Sequence, residues 1–431
     1  MPKVYQNGFS VETKLIYQSH DRERIRIFSL KKGDWPNISE NSDPLPGIPE
    51  RPVYSGLDAL AADHFALLRN RKFALLTNAT GLDHRLKRGV ELMISEGVLP
   101  ELVFEPEHGI FGAIDKPGPD GIRRDRETGL RILSLYSKSK KPSCKHLEGI
   151  DLIVIDIHNL PVRPYTYIST LTYLMEIAEE HRIEVMILDR SNPYGFWKPQ
   201  GPYLEEKFTG FTAKAPVPFL YSLTPGEYAF YMASSVFLKL RLSIVRAAGY
   251  RRKDGFSSLR QIWINPSPNI PSFEAALVYP GVVLFEAVKF SLGRGTTRPF
   301  VYSGAPWMKA GRVLEEMRSL KLPGVQFAEV IFTPNSSVYK GKTCRGIQIL
   351  PVSANFDSLR TGYEYMRVIK KIHPKDFRYI KSRGGFYMDR LWGGTSYRNF
   401  IDSDLSYDEF KKSWIHDAAS FQELTEPFLL Y

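Results

Sequence analysis

Five short apolar runs, KFALLTN, ELVFEPE, RILSLY, DLIVIDI and IEVMILD, occupy the region from Lys72 to Asp189 and restrict the fold more than any other feature of the chain. They are rich in Ile, Leu and Val and lack the alternation of a half-buried strand, so they suit strands covered on both faces. Between the last two, Ile168, Leu171, Met175 and Ala178 recur at three- and four-residue intervals, while Glu176, Glu179 and Glu180 offer a polar side. That is an amphipathic helix, and strand, helix, strand marks a parallel α/β sheet. A Rossmann-like domain is therefore expected over about 53–270, followed by a smaller α+β domain over 271–431. The later region mixes apolar runs such as LVYPGVVLF and RGIQILPV with helical patterns around Ala310–Leu320 and Tyr363–Ile372.

Residues 1–52 read as a polar arm that ends in DPLPGIPERP, whose four prolines argue for an extended linker, with RIRIF a candidate edge strand. The amino terminus carries scattered charge where a secretory signal needs an apolar stretch, so a cytoplasmic location is expected as written, and a periplasmic or extracellular one if the start is misassigned. No apolar run is long enough to span a bilayer. The formal charge of +11 comes from spread lysines and arginines with no nucleic-acid-binding motif, so a solvated basic surface or a polyanionic glycan partner is preferred to nucleic acid. Cys144 and Cys344 are 200 positions apart and suggest neither a zinc site nor a disulfide framework.

The apolar runs share a second property. LLTN ends at Asn78, VFEPEH at Glu107 and His108, VIDIHN at Asp156, His158 and Asn159, and MILDRSN at Asp189, Arg190 and Asn192. In an open parallel sheet these carboxyl ends lie along one edge, where ligands bind. Any one of these residues alone would as readily cap a helix or make a turn; the convergence of four strand ends points to a cleft. No cofactor is expected: GxGxxG does not follow the first strand, SLGRGTTRP lacks the Lys-Ser/Thr of a phosphate loop, and no HExxH or comparable metal spacing occurs. There is no GxSxG elbow for a serine nucleophile. What remains is paired carboxylates, as glycoside hydrolysis requires, with Glu107 at a strand end near Glu105 as the candidate acid.

FEPEHG, TGLRILSLY, DIHNLPVRPYTYIST, LDRSNPYG, PSPNIP, YPGVVLFE and GRGTTRPF, followed by GAPW, resemble the ordered signature blocks of the bacterial exo-β-N-acetylmuramidases of the NamZ type, from about Val53 to the terminal FLLY. The resemblance implies an active-site cleft between the two domains and removal of N-acetylmuramic acid from the non-reducing ends of peptidoglycan fragments or muropeptides. It makes Glu107 the catalytic acid/base, with His108 orienting it or binding sugar. It makes Arg163, Tyr165, Asp189, Arg190, Asn192, Asn269, Glu286 and Arg294 cleft residues, beside Asn78 and Asp156 from the strand ends. Arg163, Arg190 and Arg294 are the candidates for the lactyl carboxylate of that sugar, since a guanidinium fork matches a carboxylate. Trp197, Tyr165 and Trp307 are candidates for stacking on it. The second carboxylate is open among Glu286, Glu227 and Asp156.

This chain departs from the family pattern at several points. DIHNLP stands where DIQD, a small residue and glycine are usual, and Phe111, Gly112 and Ala113 replace an Arg-Gly-acid pattern. Ala287, Val288, Lys289 and Leu292 replace the usual residues of the GRGT block. An amide cannot act as a base and leucine cannot accept a hydrogen bond, so a catalytically silent or altered-specificity glycan binder is the alternative reading.

Overall fold

The computed structural model describes residues 11–14, 24–30, 53–113, 118–254, 262–382 and 384–431. Its larger sheet contains β1 (Val11–Lys14), β2 (Ile25–Leu30), β3 (Phe73–Thr77), β4 (Leu102–Glu105), β5 (Ile122–Arg124), β6 (Arg131–Ser134), β7 (Leu152–Asp156), β8 (Glu184–Leu188) and β9 (Leu242–Val245), in the order β1-β2-β9-β8-β7-β3-β4-β6-β5. The five apolar runs are β3, β4, β6, β7 and β8, and every residue of β3, β7 and β8 is buried. Renumbered among themselves in chain order, the six parallel strands from β6 across to β9 follow 3-2-1-4-5-6, the doubly wound Rossmann arrangement. The strand order reverses between β3 and β7, the switch point at whose carboxyl ends this topology leaves a crevice for ligands.

The arm takes a larger part in the sheet than expected. The RIRIF segment forms β2, which pairs parallel with β9 from Ile25↔Leu242 to Phe28↔Val245, and β1 adds antiparallel outside it. The reason is physical: a sheet ending at β9 would present a bare row of backbone donors and acceptors. Arg24 secures the strand by donating to the carbonyls of Ala233, Phe237 and Leu240 at 2.9, 3.2 and 3.0 Å. The linker DPLPGIPERP, residues 43–52, lies outside the described residues.

The expected helix runs from Tyr167 to Glu180 and buries Ile168, Leu171, Met175 and Ala178. In the smaller region β10 (Tyr302–Ala305), β12 (Cys344–Pro351) and β11 (Val325–Phe332) make an antiparallel sheet in that spatial order, backed by helices Ala310–Ser319 and Ser358–Ile372. The LVYPGVVLF run is helical, Phe273–Val282 passing into a tight turn at Val283–Ala287. It is apolar all round because it is buried all round. Where it crosses the 358–372 helix, a Cβ on Gly281 would lie 1.9 Å from the Ser358 carbonyl oxygen, so only glycine allows the crossing. The chain then returns to the larger domain: the Leu430 N–H donates to Glu227 at 2.9 Å and the Tyr431 hydroxyl to Asp189 at 2.9 Å.

Candidate active site

At the end of β4 the chain turns sharply, with His108 and Gly109 at φ of 74° and 75°. The turn separates the two glutamates of FEPEH. Glu105 is 1% exposed and faces inward, where Arg123 meets its carboxylate at 2.6 Å and the Ile110 N–H and the Ser134 hydroxyl also reach it. Burial raises its pKa against the pull of Arg123. Glu107, by contrast, is half-buried at the carboxyl end of the strand. Its Oε2 accepts from the Thr166 hydroxyl at 2.6 Å, the Tyr136 hydroxyl donates to the same carboxylate, and its backbone carbonyl accepts from Tyr167 at 3.3 Å. Two hydroxyl donors from different elements fix where this carboxylate points.

The surroundings of Glu107 come from both domains. Burial, and then the Glu107 charge, push the Tyr136 phenol up to about 12. The Lys140 ammonium sits over the Tyr136 ring at 3.7 Å and the Phe211 ring at 4.7 Å. From the smaller domain, Glu286 and Arg294 form an ion pair at 2.5 Å. The charges of Glu286, Arg294 and Glu107 all act on the buried Tyr279 and the half-buried Tyr387, and burial, with Glu286 next, takes Tyr387 up to about 12. Glu107 and Glu286 therefore address the same pair of tyrosines.

Other predicted residues divide sharply. Tyr165 meets Tyr167 and Tyr279 edge-on, at ring separations of 4.8 and 5.8 Å, so it belongs to the wall of this crevice. The buried Asn78 accepts from Thr80 N and Oγ1 at 2.9 and 2.6 Å and stands beside Tyr167. Tyr167 also donates to the Pro266 carbonyl, at the start of the segment that carries the half-buried Asn269.

Five predicted cleft residues are instead enclosed by the fold. Arg163 is 0% exposed and gives its guanidinium to the carbonyls of Pro202, Val217 and Trp392. Asp156, 1% exposed, is closed by Arg190, whose Nε and Nη2 lie 2.7 and 2.6 Å from its Oδ1. Asn192 accepts from the Tyr194 N–H at 2.7 Å in a local turn. Asp189 accepts from Thr224 Oγ1, Gly226 N, Tyr431 Oη and its neighbour Arg190 N, at 2.8, 2.8, 2.9 and 3.0 Å. Arg190, mostly buried beside Asp156, is likewise committed to internal partners. Strand-end polar groups need not face solvent when a partner from another element can enclose them.

Asp189 gives a testable pH dependence. Burial, followed by the Glu227 charge, pushes its pKa up to about 6 from an ordinary 3.8. A carboxyl raised by folding favours the folded state most below its unfolded value, and that contribution disappears as pH rises through 6. Relative to Asp189→Asn, which does not titrate, the wild type should lose on the order of 2–3 kcal/mol of unfolding free energy between about pH 4 and pH 7. Urea unfolding at each pH measures the difference; a pH-independent offset would contradict it.

Of the second-carboxylate candidates, Glu227 is also enclosed: it caps the helix Pro225–Ser235 through Thr224, pairs with Arg252 and accepts from Leu430. The stacking candidates Trp197 and Trp307 pack on Tyr194 and Phe356, and on Phe290 and His373. Three of the departures from the family pattern make contacts other than with Glu107. Leu292 is 4% exposed in the core, Asn159 is buried against the Tyr221 hydroxyl, and Phe111 is 51% exposed under the Arg88 guanidinium.

Sequence reasoning missed Thr166, Tyr136, Lys140, Tyr279 and Tyr387. Tyr136 had a usable signal, since it ends the run RILSLY as Glu107 ends ELVFEPE. Tyr279 and Tyr387 reach the site from distant elements and had none.

Comparison with known proteins agrees with this architecture. The family described as "Exo-beta-N-acetylmuramidase NamZ" matches in two parts, its N-terminal description over residues 73–274 and its C-terminal one over 277–431. The peptidoglycan beta-N-acetylmuramidase NamZ of Bacillus subtilis (strain 168) is 34% identical over 381 residues, covering 88% of this chain and 91% of that one. Two crystal structures of DUF1343 family proteins from Bacteroides fragilis superpose with TM-scores of 0.81 and 0.70, at 28% and 27% identity; they cover 89% and 88% of this chain and 100% and 99% of theirs. The chain belongs to the NamZ exo-β-N-acetylmuramidase family.

Proposed function

We propose that the protein is an exo-acting glycosidase that removes N-acetylmuramic acid from the non-reducing ends of peptidoglycan-derived saccharides, with Glu107 as general acid/base and Glu286 as the second carboxylate. The observation that carries this reading is the placement of Glu107: oriented by Thr166 and Tyr136 at the switch-point crevice, facing tyrosines it shares with Glu286. Family membership supplies the reaction class and the sugar.

Glycoside cleavage through an oxocarbenium-like state needs a proton delivered to the leaving oxygen and a negative group near the anomeric carbon. Glu107 supplies the first. Glu286 supplies the second, because Glu105, Asp156 and Glu227 are enclosed with partners of their own. Arg294 holds the Glu286 carboxylate at 2.5 Å and leaves its side chain 25% exposed, so it is not sealed as the other three are. The direct test is nitrophenol release from nitrophenyl β-N-acetylmuramide beside the N-acetylglucosaminide. Release from the muramide, reduced about 100-fold or more in Glu286→Gln, is expected. Binding of muropeptides with no release from either substrate would select the silent glycan binder instead.

A further inference from the structure

N-acetylmuramic acid differs from N-acetylglucosamine by one lactyl ether, so an enzyme that separates the two needs a cation where that carboxylate lies. The expected arginines are occupied. Arg163 is sealed among three carbonyls, Arg190 closes Asp156, and Arg294 is paired with Glu286. Lys140 differs from all three. Its ammonium lies 3.7 Å from the Tyr136 ring and 4.7 Å from the Phe211 ring, and among the described residues it forms no ion pair. Tyr136 is the residue whose hydroxyl holds Glu107, so the cation stands one ring away from the acid. An aromatic face attracts and positions a cation without neutralising it, whereas a carboxylate partner would cancel its charge. The side chain is half-buried, and a partly dehydrated ammonium interacts more strongly with an arriving anion than one in bulk water. Burial lowers its pKa while the Glu107 charge opposes that, which fits a cation kept at the edge of the cleft.

Resting on the reading of the site as a muramidase, we infer that Lys140, seated on Tyr136 and Phe211, binds the lactyl carboxylate and sets the preference for muramic acid over glucosamine. Methionine keeps the apolar stem and removes the charge. Lys140→Met is expected to raise KM for the nitrophenyl muramide about tenfold with a smaller change in kcat, and Lys140→Arg to recover most of the loss. A muramide whose lactyl carboxylate is converted to its methylamide should be handled alike by wild type and Lys140→Met, which separates loss of this charge contact from general damage to the site. An unchanged KM in Lys140→Met, or an equal loss on the methylamide, would overturn the assignment. If the wild type hydrolyses neither sugar, the muramidase reading fails separately. Lys140 is then judged by saturation-transfer NMR on the full chain with N-acetylmuramic acid and N-acetylglucosamine: a preference for the acid that Lys140→Met abolishes upholds it, and no preference refutes it.

Discussion

Glutamine in place of Glu107 is expected to lower turnover of a muramic-acid disaccharide by about 1,000-fold or more while leaving the unfolding transition in place. The substitution is close to isosteric. Its amide oxygen can still accept from the Thr166 hydroxyl, and its NH2 can donate to a neighbouring hydroxyl oxygen, so the side chain keeps hydrogen-bonding partners in place. What is lost is the transferable proton. The size of the loss should depend on the leaving group, and this separates an acid role from simple positioning. A sugar alkoxide is a poor leaving group and needs the proton, whereas nitrophenolate leaves with little assistance. The defect should therefore be larger on the disaccharide than on the nitrophenyl substrate. Equal turnover in wild type and variant would dismiss Glu107 as the acid, and equal losses on the two substrates would point to a positioning role.

The contrast between Glu107 and Asp189 shows what was legible in the sequence. Both end apolar runs, and by pattern they are the same signal. Two-sided burial leaves a local trace, the unalternated run, so β3, β4, β6, β7 and β8 could be read directly. So could the edge at which their polar ends gather. Which of those ends faces a ligand is decided by partners far along the chain: Tyr431 closes Asp189 across 242 positions, and Thr166 turns Glu107 outward across 59. No local pattern encodes those contacts. The arginines show the same limit. Guanidinium chemistry suits a carboxylate ligand wherever it stands, but only the fold shows that Arg163 is out of reach of any ligand and that Lys140 has a neutral aromatic seat.

Alanine at Arg163 is expected to destabilise the protein by about 3–5 kcal/mol, because it leaves buried carbonyls without donors and opens a cavity. Among the described residues Arg163 has no carboxylate partner; the carbonyls of Pro202, Val217 and Trp392 share its charge, and burial pulls its pKa down to about 9, still charged at neutral pH. The site is built around that side chain. Gly393, at φ 77°, ends the helix Tyr387–Trp392, and a Cβ there would lie 2.2 Å from Arg163 Nη2. That short helix carries Tyr387 at its first residue, in the cleft, and the anchored Trp392 carbonyl at its last. Arg163 thus ties the VRPYTY segment of the larger domain to the element that brings Tyr387 toward Glu107, and it acts on the site through position. The prediction is a lower urea midpoint for Arg163→Ala, with the preference for muramide over glucosaminide retained by the protein that stays folded. Lys140→Met should do the reverse, keeping the midpoint and losing the preference. If Arg163→Ala kept its midpoint and lost its preference, Arg163 would be the anion fork after all and Lys140 would lose its role.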